Sequence, residues 1–137
     1  MRRLRDRLLE LEAAALLATA EKVGKARVVS RVFAEREMEE VKRLAEVLAG
    51  CPGAVALLGV QHRGRGQLVF GRSRELGGPA MNQVIRRPLE MLEGRGGGSE
   101  LSAQGGGSRA DRLKAAVEEA RAEVREALGG RPADGLE

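Results

Sequence analysis

"GRGGGSELSAQGGGS", Gly94 to Ser108, sets a triple glycine at either side of a short polar stretch. A tether needs only solubility and freedom, whereas a loop that meets an anion needs glycines where backbone must come close. The flanks separate the two. Downstream, Ser108 and Asp111 have the spacing of a capping box, and "SRADRLKAAVEEARAEVREAL" places Leu113, Ala116, Val117, Ala120, Val124 and Leu128 on one helical stripe. Upstream, "GPAMNQVIRRPLEMLEG" puts Met81, Val84, Ile85, Leu89 and Leu92 on one face. Pro88 is expected to kink or divide that helix, and Gly94 to end it in the left-handed region. A segment anchored at both ends cannot range freely, and consecutive glycines can turn N–H groups inward as an anion-binding nest. A merely permissive turn is the plainer alternative. Leu101 and Ala103 are candidates for a short edge strand. The stretch has no GK[ST] and follows a helix, so neither a P-loop nor a dinucleotide fingerprint applies.

Further out, "KARVVSRVF" (Lys25 to Phe33), "AVALLGV" (Ala54 to Val60) and "QLVFGRS" (Gln67 to Ser73) read as strands, the second as a buried one. "QHRGRG" between the last two reads as a basic hairpin tip carrying Arg63 and Arg65. "EREMEEVKRLAEVLAG" has Met38, Val41, Leu44, Ala45 and Leu48 at helical spacing, stopped by Gly50 and Pro52. At the start, Leu4, Leu8, Leu11, Ala15 and Ala18 recur every three or four residues, with Leu9, Leu16 and Leu17 widening the seam up to Gly24. Such a helix must cover itself on its own domain or on a second copy. Arg2, Arg3, Arg5 and Arg7 oppose the helix dipole, which suggests that the helix began further upstream in a longer protein. The predicted fold is α/β: a small mixed β-sheet covered by helices, with an N-terminal amphipathic connector helix. The expected organisation is a connector or oligomerisation helix over 1–23, an α/β domain over 25–128, and a disordered tail over 129–137.

The 137 residues suit one domain with an aliphatic core, since Phe33 and Phe70 are the only aromatics. One Cys51 and one His62 cannot form an intramolecular disulfide or complete a protein zinc site, so no metal or cofactor is expected. Cys51 reads as a small buried thiol and His62 as a solvated or phosphate-touching side chain. No apolar run is long enough for a spanning helix, so the expectation is a cytoplasmic protein without a membrane partner. The charge of +4 comes mainly from arginine, which suits phosphate but also an ordinary solvated surface.

The glycine stretch, placed after "AVALLGV", "QLVFGRS" and "MNQVIRRPLEMLEG", resembles the DHH-associated domain over roughly Arg27 to Leu128. That small α/β module is carried by alanyl-tRNA synthetases, free-standing alanyl-tRNA editing proteins and DHH-type phosphoesterases, and "AQGGG" is most similar to the editing branch. The resemblance implies that Arg95, Gly96, Gly97 and Gly98 line a nucleic-acid-facing surface, with Gln104, Gly105 and Gly106 alongside. Ser99 and Glu100 stand where the family usually has Arg-Pro or His-Pro. The implied function is a non-catalytic tRNA-binding accessory domain of an editing hydrolase, with Arg63, Arg65 and Arg95 on phosphates of an alanine-accepting or mischarged tRNA. Without Tyr or Trp, contact by shape and phosphate is favoured over base stacking. Two alternatives remain: a homodimer formed through Leu4, Leu8, Leu11 and Ala15, and a nucleotide-binding domain of a DHH-type phosphoesterase.

Overall fold

The computed structural model describes residues 2–129; the tail expected over 129–137 therefore lies, from 130 on, outside the described residues. The elements are α1 (Arg2–Ala18), β1 (Glu21–Val23), β2 (Ala26–Ala34), α2 (Met38–Ala49), β3 (Ala54–His62), β4 (Arg65–Arg72), α3 (Met81–Val84), α4 (Arg86–Met91), β5 (Gly94–Gly98), β6 (Ser102–Gly107) and α5 (Leu113–Leu128). One six-stranded sheet runs β1-β2-β3-β4-β6-β5. Only β2 and β3 are parallel, joined through α2; the other neighbours are antiparallel. The mixed α/β fold read from the sequence is the fold observed.

Alternation along the strands divides the core between the two faces of the sheet. Val28, Val55, Leu57, Leu68, Phe70 and Ala103 pack under α3, α4 and α5, where Leu113, Ala116, Val117, Ala120 and Val124 form the predicted stripe. Val29, Ala56, Leu58, Val60 and Val69 pack under α2 through its buried Val41, Leu44, Ala45 and Leu48. Val69 marks where this cover ends, because α2 contacts β3 and β4 while β5 and β6 extend past it.

α1 docks on α2 through Leu9, Ala13, Leu16 and Leu17, and the seam Leu4, Leu8, Leu11 and Ala15 faces outward. Arg36 clamps this docking with two bonds to Glu12, at 2.8 and 2.7 Å, while its guanidinium lies over the Phe33 ring. The helix ends at Ala18, not Gly24. Gly24, with φ +60°, turns the β1–β2 hairpin instead, a strand too short to show in the sequence pattern.

Pro88 acts as expected. It cannot donate to Val84, and the helix divides between α3 and α4 at that point. Two end signals are corrected. Glu93, not Gly94, takes the left-handed conformation, with φ 56°, because Gly94 already belongs to β5. The Ser108–Asp111 capping box does not form: Arg109 Nε and Nη2 bind the Asp111 carboxylate at 3.0 and 2.8 Å, and a 3-10 turn over Ala110–Arg112 leads into α5. No described helix is long and apolar enough to cross a membrane.

Candidate nucleic-acid interface

The glycine triplets are not a nest. They are the two strands of an antiparallel hairpin, with Gly94 opposite Gly107, Gly96 opposite Gly105 and Gly98 opposite Ala103. A Cβ on Gly94, Gly96 or Gly98 would penetrate the backbone of the facing strand, and one on Gly107 the Leu92 carbonyl just before it. One on Gly105 would lie 2.6 Å from the Arg95 carbonyl oxygen and 2.8 Å from Leu89 Cδ2. These glycines let the two strands approach more closely than side chains allow. Gly97 differs. A Cβ there would meet nothing within 4 Å, so no internal contact demands a glycine at this exposed position.

The hairpin is held at both ends. Met81 N donates to Glu100 O at 2.8 Å and Asn82 N to Ser99 O at 3.1 Å, so the start of α3 grips its turn. The Ser99 hydroxyl accepts from Leu101 N and Ser102 N at 3.3 Å, which makes it a turn-former inside the hairpin. At the other end Arg109 N donates to Leu92 O at 3.1 Å.

Register fixes what the uncovered face presents. Gln67 lies beside Gly106 and Gly106 beside Arg95; Val69 lies beside Gln104 and Gln104 beside Gly97. A concavity of about 520 Å³ opens here, and Lys42, Arg65 and Arg95 all line it with Gln67, Gln104 and the glycine backbone. One carboxylate, Glu93, also lines it and lies 3.4 Å from Arg109 Nη1. Lys42 has only the exposed Glu39 at 3.4 Å, a weak surface pair. Among the described residues Arg63, Arg65 and Arg95 have no ion-pair partner. Three cations above a bare peptide floor favour a polyanion that can approach main chain.

The structure thus brings Arg65, Arg95, Gln104, Gly105 and Gly106 together, with Gly97 beside them in register. Arg63 stands apart on the β3–β4 turn, exposed, with φ 53°. Gly96 and Gly98 serve strand packing, and Ser99 the turn. Lys42 was not legible: it sits on the polar side of α2, more than fifty residues before Arg95, and no spacing rule joins them. His62 is partly exposed; its Nδ1 is buried 3.5 Å from Glu35 Oε1, without hydrogen-bond geometry. Cys51 is half-buried and donates to Val47 O at 3.4 Å. Among the described residues no three His, Cys, Asp or Glu side chains group closely enough to hold a metal ion.

Residues 24–126 match the DHHA1 domain. Over 106 residues the chain is 32% identical to an alanine–tRNA ligase of Leptospira biflexa serovar Patoc, an alignment that takes in 75% of this chain and 12% of that protein. In structure it is similar to the C-Ala domain of Aquifex aeolicus alanyl-tRNA synthetase, with a TM-score of 0.67 and 30% identity over 82% of this chain and 99% of that one.

Proposed function

The chain belongs to the DHHA1 domain family, and from that premise we propose that it is a tRNA-binding accessory domain, without chemistry of its own, serving a catalytic body that acts on alanyl-tRNA. The observation that carries this reading is the cluster of Lys42, Arg65 and Arg95 around the glycine-paved face left open beyond α2. Such a surface meets ribose-phosphate backbone by shape and charge. It contacts the body of the tRNA and not the amino acid, so alanine-accepting tRNA binds whether uncharged, charged or mischarged. The synthetase relatives and the resemblance to editing proteins fit the same role, since both handle alanyl-tRNA. The phosphoesterase reading is weaker: Ser99 is spent on the turn, and an acid, Glu100, follows it.

A filter-binding titration with alanine tRNA at low salt tests this. Arg95→Glu is expected to weaken binding at least about tenfold, the scale of one lost charge-assisted contact plus one repulsion. Unchanged affinity overturns the reading.

A second reading concerns α1 alone. Leu4, Leu8 and Leu11 are 65%, 64% and 58% exposed, the most exposed large apolar side chains among the described residues. The seam they form fits a second copy of this helix, antiparallel, so that Arg5 and Arg7 at one end approach Glu10 at the other. Sedimentation should show a dimer abolished by Leu8→Asp with Leu11→Asp; a wild-type monomer at high concentration excludes it.

A further inference from the structure

Beyond Lys42 and Gln104, which line both, the cationic concavity continues into a second one of about 480 Å³ between α2 and β6. Its character differs. The floor is Val69, Gly71 and Leu101, and the α2 wall is built from the small side chains of Ala45 and Ala49. Its rim carries Glu46 and Glu75, neither in an ion pair among the described residues, beside Arg74 and the hydroxyl of Ser102. With Lys42 and Arg74 beside them, the two carboxylates leave this rim near neutral, not phosphate-seeking like the first concavity. They suit a group that donates hydrogen bonds, and an apolar slot of this size suits a flat ring. Moving along the groove, a polyanion site therefore gives way to a site for a neutral, donor-bearing, partly apolar body.

One molecule has both parts at that separation. We infer that this second concavity receives a single unpaired nucleotide of the bound RNA, its phosphate held by Lys42 and its base laid over Leu101 and Ser102 against the half-buried Ala49 of α2. Glu46 and Glu75 accept from the ribose hydroxyl or from an exocyclic amine. The inference rests on the RNA reading of the glycine face and adds to it an unstacked base, held by aliphatic side chains in a domain whose two phenylalanines are occupied in β2 and β4. Buried Arg72 supports the end of the slot: its Nε donates to Pro79 O at 2.8 Å and its Nη1 to Ser73 O at 3.0 Å, fixing the loop after β4.

The test uses the full chain and three probes: a hairpin RNA with a short single-stranded end, the same hairpin with that end abasic, and the hairpin made blunt. The base-bearing end should bind about tenfold more tightly than the abasic one, which has the same phosphates. Ala49→Leu, filling the slot from α2, should erase that difference and leave blunt-hairpin affinity unchanged. Ser102→Leu fills it from the exposed face of β6, where folding is not at risk, and should do the same. Equal binding of base-bearing and abasic ends by the wild-type chain overturns the inference, as does a preference that survives both variants. Arg95→Glu separates the two proposals: it should weaken all three probes alike. If it changes none of them while the base preference persists, the glycine-face reading falls and the slot stands.

Discussion

At the scale of single residues, the glycines of β5 and β6 fall into two kinds that their letters do not distinguish. Gly105 has no room for a side chain, because Arg95 O, Gly96 Cα and Leu89 Cδ2 all crowd its missing Cβ. Gly105→Val should therefore lower the melting temperature by about 5–10 °C, the scale of overpacking in a small domain. Gly97 has room, and a strand position favours almost any residue over glycine. Gly97→Ala should leave stability unchanged or raise it by up to about 1 kcal/mol. If the open face meets RNA backbone, the same variant weakens tRNA binding, so thermal melts and titrations on the pair separate a packing role from a binding role. The sequence showed the count and spacing of these residues, with Arg95 and Gln104 beside them. It could not show Lys42, whose place in the site depends on how α2 crosses β4.

Among the elements, those built on side-chain periodicity were legible: α2 and α5 bury the very stripes their spacing predicts, and Pro88 divides α3 from α4 where its missing donor requires. Strand β5 was not, and β6 only at Ala103, because alternation is a property of side chains and seven of their eleven residues are glycine. The N-terminal helix was legible as amphipathic, but not which part of its apolar surface docks: Leu9, Ala13, Leu16 and Leu17 do, and Leu4, Leu8 and Leu11 do not. Its inner face depends on Arg36, whose hydrogen bonds hold the Glu12 carboxyl below the usual glutamate range against a smaller opposing effect of burial. A carboxyl depressed in the folded state stabilises above its unfolded value, near 4.5, and that contribution is lost as pH falls through the lower folded value. Acid below about pH 4.5 should thus loosen α1 from α2, read as faster amide exchange across Leu9–Leu17. Arg36→Met, which keeps an apolar side chain of similar length but removes the guanidinium from both Glu12 and the Phe33 ring, should cost about 1–2 kcal/mol at neutral pH and remove this acid dependence. An unchanged acid response in that variant would place its origin elsewhere.

For the whole molecule, the net charge of +4 is too small to decide anything by itself; what matters is where the cations lack partners. On the α5 side arginines are spent on carboxylates, as in Arg121 and Arg125 with Glu21. On the face beyond α2, Arg65 and Arg95 have no ion-pair partner among the described residues and Lys42 only a weak one. The sheet order makes this asymmetry possible, because β6 and β5 extend the sheet past its helical cover on one side and keep α4 beneath them on the other. Three cations on phosphate should give a plot of log affinity against log salt with a slope of about −3, a loss of roughly fifty-fold between low and physiological salt. Lys42→Gln, Arg65→Gln and Arg95→Gln should each flatten that slope by about one, while Arg121→Gln, on the opposite side, leaves it unaltered. A wild-type slope near zero would remove phosphate from the account of this surface. A slope twice as steep would mean that the footprint reaches further cations, with Arg63 on the β3–β4 turn the first to substitute.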